Sequence, residues 1–241
     1  VGVVDPVTIT PPQAPLPVSE VFGPTWQGEG PYAGRRTGFV RLGLCNLSCE
    51  WCDTPYTWDT TRYDVAKECP PTEVAEIHDR LRGLGVDLAV LSGGEPLVHH
   101  KNLAPLLTDE WTWHAETNGT IAPPWWWDRH VEHTTVSPKI NTRDPLKRRL
   151  KPEALAGWAV LARAGLAAFK FVCSVPADVA TVRDLTQELG IAREHVWIMP
   201  EGTNAGQLIH RHRTLAPAIE REGFNTTTRL HTLLYGEERG R

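Results

Sequence analysis

GLCNLSCEWCDTPYTWD (43–59) sets Cys45, Cys49 and Cys52 within eight positions and follows the last with Asp53 and Thr54. Two metals compete for three thiols at this spacing. Structural zinc takes four protein ligands, usually two close pairs, and the remaining cysteines, Cys69 and Cys173, stand alone. A 4Fe–4S cluster is held by thiolates, and a Cys-x3-Cys-x2-Cys loop lets three sulfurs serve three corners of the cube. One iron is then left open, which suits a cluster that binds a reactant directly.

The segments flanking this loop follow a repeating grammar. GFVRLGL (38–44) reads as a buried strand, and TEVAEIHDRLRGLG (72–85) places Val74, Ile77, Leu81 and Leu84 on one helical face before stopping at glycine. Further strands are expected at VDLAVL (86–91), WTWHAE (111–116), HTTVS (133–137), AAFKFV (167–172), HVWIM (195–199) and TTTRLH (226–231). Helical patterns over 152–165, 176–190 and 205–223 separate several of them. Strands alternating with helices imply a mostly parallel sheet with right-handed crossovers. About six or seven strands are too few to close an eight-stranded barrel, so the expected fold is α/β, a partial, splayed (β/α)6-type barrel. Residues 1–17, with five prolines and no periodicity, read as an extended arm, and 18–241 as a single domain.

Bulk properties narrow the function. The 241 residues are 41% hydrophobic and 22% charged, with formal net charge −4, so no basic field recruits duplex nucleic acid. No apolar run approaches the roughly 18 residues of a membrane span, and the start lacks the pattern of a signal peptide. A cytoplasmic protein with a small-molecule partner is expected. Cys69 and Cys173 read as buried free thiols. The ten histidines, His99, His100, His210 and His212 among them, read as solvated or helix-surface residues. The run Trp125–Trp126–Trp127 suits apolar anchoring of a surface segment or a dimer contact.

The segments after the strands, CNLSCEWC, SGGEP, ETNGT, SPKI, CSVP and MPEG, would gather at the carboxyl edge, where αβ sheets and barrels bind ligands. The cysteine spacing together with SGGEP (92–96) is similar to the radical S-adenosylmethionine (SAM) superfamily. The resemblance implies that the open iron chelates the amino and carboxylate groups of SAM, and that one-electron reduction cleaves SAM to a 5′-deoxyadenosyl radical. It further implies that Gly94 lies close to the methionyl amine. Glu116 and Asn118 of ETNGT, Ser137, Pro138 and Lys139 of SPK, and Met199, Pro200, Glu201 and Gly202 of MPEG would meet the rest of SAM. By residue type alone each also suits a turn or a cap.

VSEVFGPTWQGEGPYAGRRTGFVRLGLCNLSCEWCDTPYTWD (18–59) resembles the 7-carboxy-7-deazaguanine synthase family of the queuosine and 7-deazapurine pathway, with SGGEP and SPK extending the likeness toward residue 202. This resemblance implies a lyase that takes 6-carboxy-5,6,7,8-tetrahydropterin, abstracts hydrogen at C6, contracts the ring and releases ammonia. No side chain then acts catalytically beyond the cluster and the SAM radical. Gln27 and Glu29, with backbone groups of Trp26 and Gly28, would read the pterin edge by hydrogen bonds. Arg41 would hold the carboxylate through its planar fork, and Ser92 would touch the substrate. The Thr54 hydroxyl is implied to ligate Mg²⁺, although by position alone it is a turn residue. A flavodoxin or ferredoxin electron donor and a homodimer are also implied. In some relatives the chain's end closes the pterin pocket, so RLHTLLYGEERGR (229–241) is of interest. The alternatives are an activase that installs a glycyl radical in a partner protein, and a non-enzymatic zinc or iron–sulfur interaction module.

Overall fold

The structure is a computed structural model that describes residues 14–236 and 238–240. Most of the proline-rich arm lies outside the described residues. The chain enters through β1 (Leu16–Trp26), which pairs antiparallel with β2 (Arg36–Leu42) and, at its start, with the two-residue β3 (Pro71–Thr72). From β2 onward the sheet is parallel, through β4 (Leu88–Gly93), β5 (Thr112–Thr117), β6 (His133–Val136), β7 (Ala167–Cys173), β8 (Val196–Pro200) and β9 (Asn225–Thr226). The order β3-β1-β2-β4-β5-β6-β7-β8-β9 leaves the sheet unclosed, as a partial αβ barrel requires.

Alternation along the strands sorts side chains between two faces. Ala89 and Leu91 of β4 join the main core, whereas Val90 joins Phe22 and Phe39 in a separate small cluster. Phe169 and Phe171 likewise enter the main core and leave Lys170 on the opposite face. Against the core face pack α2 (Val74–Leu84), which ends at Gly85 in the left-handed conformation (φ 58°), and α4 (Pro152–Arg163), which begins on proline. Trp158 of α4 is fully buried, and its indole N–H donates to the Ile121 carbonyl at 2.9 Å. Helices α5 (Pro176–Glu188) and α6 (Ala205–Glu222) follow β7 and β8 and pack on each other.

Several local features differ from the sequence expectations. β1 is an eleven-residue strand that no sequence pattern singled out. In TTTRLH only Thr226 belongs to a strand, and Leu230–Tyr235 forms a helix, α7. Not every histidine is solvated: His114 and His133 are register partners on β5 and β6, both are buried, and Tyr32 packs on both rings at 4.3 and 4.7 Å. Burial holds the His133 imidazole down at about 4 and lowers that of His114, so both are neutral near pH 7. His99 is tied to the Gly43 carbonyl at 2.9 Å. Within the tryptophan run, Trp127 is buried and donates to Thr134 Oγ1, while Trp125 is 79% exposed. Cys69 and Cys173 are buried free thiols, as expected. No helix among the described residues is long and apolar enough to cross a membrane.

Trp158 joins α4 to the core by packing and to the loop after β5 by its hydrogen bond. Trp158→Ala is expected to cost about 3–5 kcal/mol, read as a lowered midpoint in urea denaturation with an unchanged slope.

Candidate active site

The cysteine loop leaves β2 through Leu44, a non-glycine residue with φ 67°. Leu44 N–H donates to the Thr57 carbonyl at 2.7 Å, and its carbonyl accepts from Glu95 N–H at 2.8 Å. A Cβ on Gly93 would lie 2.1 Å from the Leu42 carbonyl oxygen, and one on Gly94 would lie 2.0 Å from that of Leu44. The two glycines of SGGEP therefore let the end of β4 press against the backbone that carries Cys45.

The loop donates hydrogen bonds to its sulfurs. Cys45 Sγ accepts from Leu47 N–H and Cys52 Sγ from the Trp58 indole N–H, each at 3.4 Å. Burial pushes the Cys45 thiol up to about 12 and the Cys49 thiol up to about 11, and each neighbouring thiolate adds repulsion. Thiolates are stable in such a place only against a cation. Hydrogen bonds aimed at sulfur and a clustered set of three thiols fit an iron–sulfur cluster.

Beside the cysteines, Glu95 is fully buried and accepts from Leu97 N–H, Thr117 Oγ1 and Asn118 N–H at 3.0, 2.8 and 2.6 Å. Burial raises its carboxyl despite these donors. Asn118 then reaches Asn46 Oδ1 at 2.9 Å, so SGGEP, ETNGT and the cysteine loop are joined. Lys139 Nζ donates to Ser137 Oγ at 3.0 Å and lies 5.5 Å from the Trp51 ring.

WQGEG builds the opposite side. Glu116 accepts from Gln27 Nε2 and from Ser92 Oγ, both at 3.0 Å. It thus sits among residues expected to meet the substrate. Glu29 is bonded by Lys170 and, at 3.1 Å, by Arg229 Nε. Burial opposes ionisation of Glu29, but Lys170, Arg229 and His231 outweigh it and hold the carboxyl well below the usual range. Burial likewise opposes the charge on Lys170, and Glu29 and Glu116 overcome it. Arg229 also donates to Asp53 and, at 3.0 Å, to the Gly202 carbonyl. A Cβ on Gly28 would fall 2.0 Å from His231 Nδ1, so this glycine makes room for the imidazole. One atom each of Glu29, Asp53 and His231 lie within 4.8 Å of one another, the spacing of a cation site. Arg229 already bridges the two carboxylates there.

Most of these groups line one cavity of about 700 Å³, while Glu95 and Asn46 stand behind its wall. Its lining includes the three cysteines, Thr54, Trp26, Gln27, Gly28, Glu29, Arg41 and Ser92, together with Gly94, Glu116, Asn118, Ser137, Lys139, Met199 and Glu201. Pro138, Pro200 and Gly202 stand outside that lining. Thr54 is buried, with Oγ1 3.6 Å from Cys52 Sγ. Arg41 is paired with Glu20 at 2.8 Å, and Arg239 pairs with the same carboxylate at 2.7 Å.

Sequence reasoning missed Glu95, Lys170, Arg229 and His231. A lone lysine in the apolar run AAFKFV was a usable signal, because a charge on an inward strand position needs a buried partner. Arg229 and His231 carried only the resemblance's hint that the chain's end closes the pocket, since 226–231 otherwise read as a strand.

An unclosed parallel sheet with three thiols on the loop after its first parallel strand, facing a polar cavity at the carboxyl edge, defines a radical SAM enzyme. No protein-family model matches the chain. Three proteins called 7-carboxy-7-deazaguanine synthase are similar over nearly its whole length. Those of Hyperthermus butylicus, Halobacterium salinarum and Pyrobaculum aerophilum are 35%, 32% and 33% identical. They cover 91%, 92% and 93% of this chain and are themselves covered over 92%, 91% and 96% of their length. The crystal structure of QueE from Escherichia coli superposes with a TM-score of 0.63 at 22% identity, covering 90% of this chain and 94% of that one, and shares the fold. The chain belongs to the 7-carboxy-7-deazaguanine synthase family. Its cofactors are accordingly a 4Fe–4S cluster and SAM.

Glu29 compensates two buried cations, whereas Lys170 is one of two cations facing Glu29. Glu29→Gln is therefore expected to destabilise by about 3–5 kcal/mol and Lys170→Met by only about 2 kcal/mol. Urea denaturation of both variants checks the ranking.

Proposed function

We propose that the protein converts 6-carboxy-5,6,7,8-tetrahydropterin to 7-carboxy-7-deazaguanine and ammonia. The observation that carries this reading is one cavity with three clustered thiols on one side and Gln27, Ser92, Glu116 and the Glu29 pairs on the other. Held by Cys45, Cys49 and Cys52, a reduced cluster with SAM supplies one-electron cleavage and hydrogen-atom abstraction.

The remaining chemistry belongs to positioning. Gln27, Ser92 and Glu116 offer donors and acceptors in one linked set, suited to the amide and ring-nitrogen edge of a pterin. Glu29, kept ionised by Lys170 and Arg229, fixes WQGEG without needing reorganisation when substrate arrives. Arg41 receives the substrate carboxylate, with Glu20 holding the guanidinium in place. Thr54, buried beside Cys52 in the same cavity, would hold Mg²⁺ through its hydroxyl, a hard oxygen donor suited to a cation that would in turn fix a carboxylate. Gly94, Asn118, Ser137, Lys139, Met199 and Glu201 form the side that takes SAM, with Pro138, Pro200 and Gly202 shaping the backbone behind it. A flavodoxin or ferredoxin supplies the electron, and the protein works as a homodimer in the cytoplasm. A glycyl-radical activase shares the three thiols but has no use for a buried polar floor that reads a flat molecule.

Anaerobic reconstitution followed by incubation with carboxytetrahydropterin, SAM, Mg²⁺ and dithionite is expected to yield the deazaguanine by mass spectrometry without net loss of SAM. Cys52→Ala should abolish the product, and Thr54→Val should remove its stimulation by Mg²⁺. No product from an enzyme with intact cluster and SAM cleavage would overturn the assignment.

A further inference from the structure

We propose that residues 142–151 form the docking surface for a small acidic protein that carries single electrons. This rests on the radical reading above, because only redox chemistry calls for such a carrier. The chain has net charge −4, yet TRDPLKRRLK contains Arg143, Lys147, Arg148, Arg149 and Lys151 against a single acid. That acid, Asp144, is buried and already spoken for, accepting from Ser48 N–H at 2.8 Å and pairing with Arg148 at 3.3 Å. The segment therefore presents a strongly positive surface on an acidic protein.

The same segment is fastened to the cysteine loop along its length. Arg148 Nε donates to the Asn46 carbonyl at 2.9 Å, and immediately before the segment the Asn141 carbonyl accepts from the Trp51 indole at 3.3 Å. Arg143 N–H donates to Glu50 at 3.2 Å. With the Ser48 contact, these bonds alternate through the stretch between Cys45 and Cys52. The other side of that loop faces a cavity of about 700 Å³, which admits small molecules and no protein. Electron tunnelling falls steeply with distance, so a protein donor must approach from the outer side, where this positive segment lies.

The patch also has the anatomy of an interface. Leu146, in the single turn Leu146–Arg149 (α3), is 61% exposed, with Lys147 and Arg148 beside it in the same turn. The Arg143 side chain is 89% exposed and its guanidinium lies 3.9 Å from the Glu50 carboxylate of the cysteine loop. An apolar centre with a charged rim suits a short-lived complex, steered electrostatically and released quickly.

The test uses the reconstituted full chain and the variant Lys147→Glu/Lys151→Glu, which spares Arg143 and Arg148 because they brace the cysteine loop and Arg149 because it braces the segment itself. Product formation is measured with an acidic flavodoxin reduced by its NADPH-dependent reductase, and separately with dithionite. The expected result is a fall of about tenfold or more in kcat/KM for flavodoxin, a matching loss in wild type as salt rises, and dithionite-driven turnover within about twofold of wild type. A control with the same charge change, Arg163→Glu/Arg193→Glu, should keep flavodoxin-driven turnover. Unchanged kcat/KM for flavodoxin, an equal loss in the control, or an equal loss with dithionite would overturn the proposal. Absence of product from the wild-type enzyme with either reductant would instead overturn the assigned reaction.

Discussion

The carboxylate of Glu29 is the interaction on which the site depends. The sheet does not close: β3 and β9 lie at its two edges with no ladder between them. The gap is bridged by polar contacts from the segment after β1. Glu29 bonds Lys170 of β7 and Arg229, the Gly28 carbonyl accepts from Leu230 N–H at 2.8 Å, and Gly30 accepts from Thr227 Oγ1 at 3.5 Å. An ion-pair closure seals the open side while keeping charge and hydrogen-bonding capacity at the floor.

The cavity is organised in two halves that share β5. On one half Glu95 gathers Leu97, Thr117 and Asn118 and thereby sets the position of Asn46 behind Cys45. On the other, Glu116 gathers Gln27 and Ser92. The motif SGGEP contributes to both, since Ser92 bonds Glu116 and Glu95 bonds Thr117 and Asn118 beside the cysteine loop. Asp53 and Thr54 lie where the halves meet, one tied to Arg229 and the other beside Cys52. Placement of the reacting groups thus comes from buried carboxylates, and the rim loops need little ordering of their own.

Much of this was legible in the sequence because it depends on local signals. Parallel strands read as short apolar runs, helices as apolar stripes ending at glycine, and the three thiols as one close-set group by spacing alone. What escaped depends on pairing at long range. Lys170 and Glu29 are 141 positions apart, and Arg229 and Glu29 are 200 apart, so neither charge announces its partner. β1 is interrupted by irregular register at two places and carries Glu20 among apolar residues, which obscures its alternation. His114 and His133 look like surface residues by type but occupy inward strand positions. The 226–231 stretch has strand-like composition, yet only its first residue pairs in register with β8, and Thr227 adds one backbone hydrogen bond to Ile198 before the chain turns into α7.

Tracing one hydrogen atom tests the account most directly. With carboxytetrahydropterin carrying deuterium at C6, the account predicts deuterium in recovered SAM and 5′-deoxyadenosine alongside the deazaguanine product. Product formed with no label in either, or with the label lost only to solvent, would contradict it.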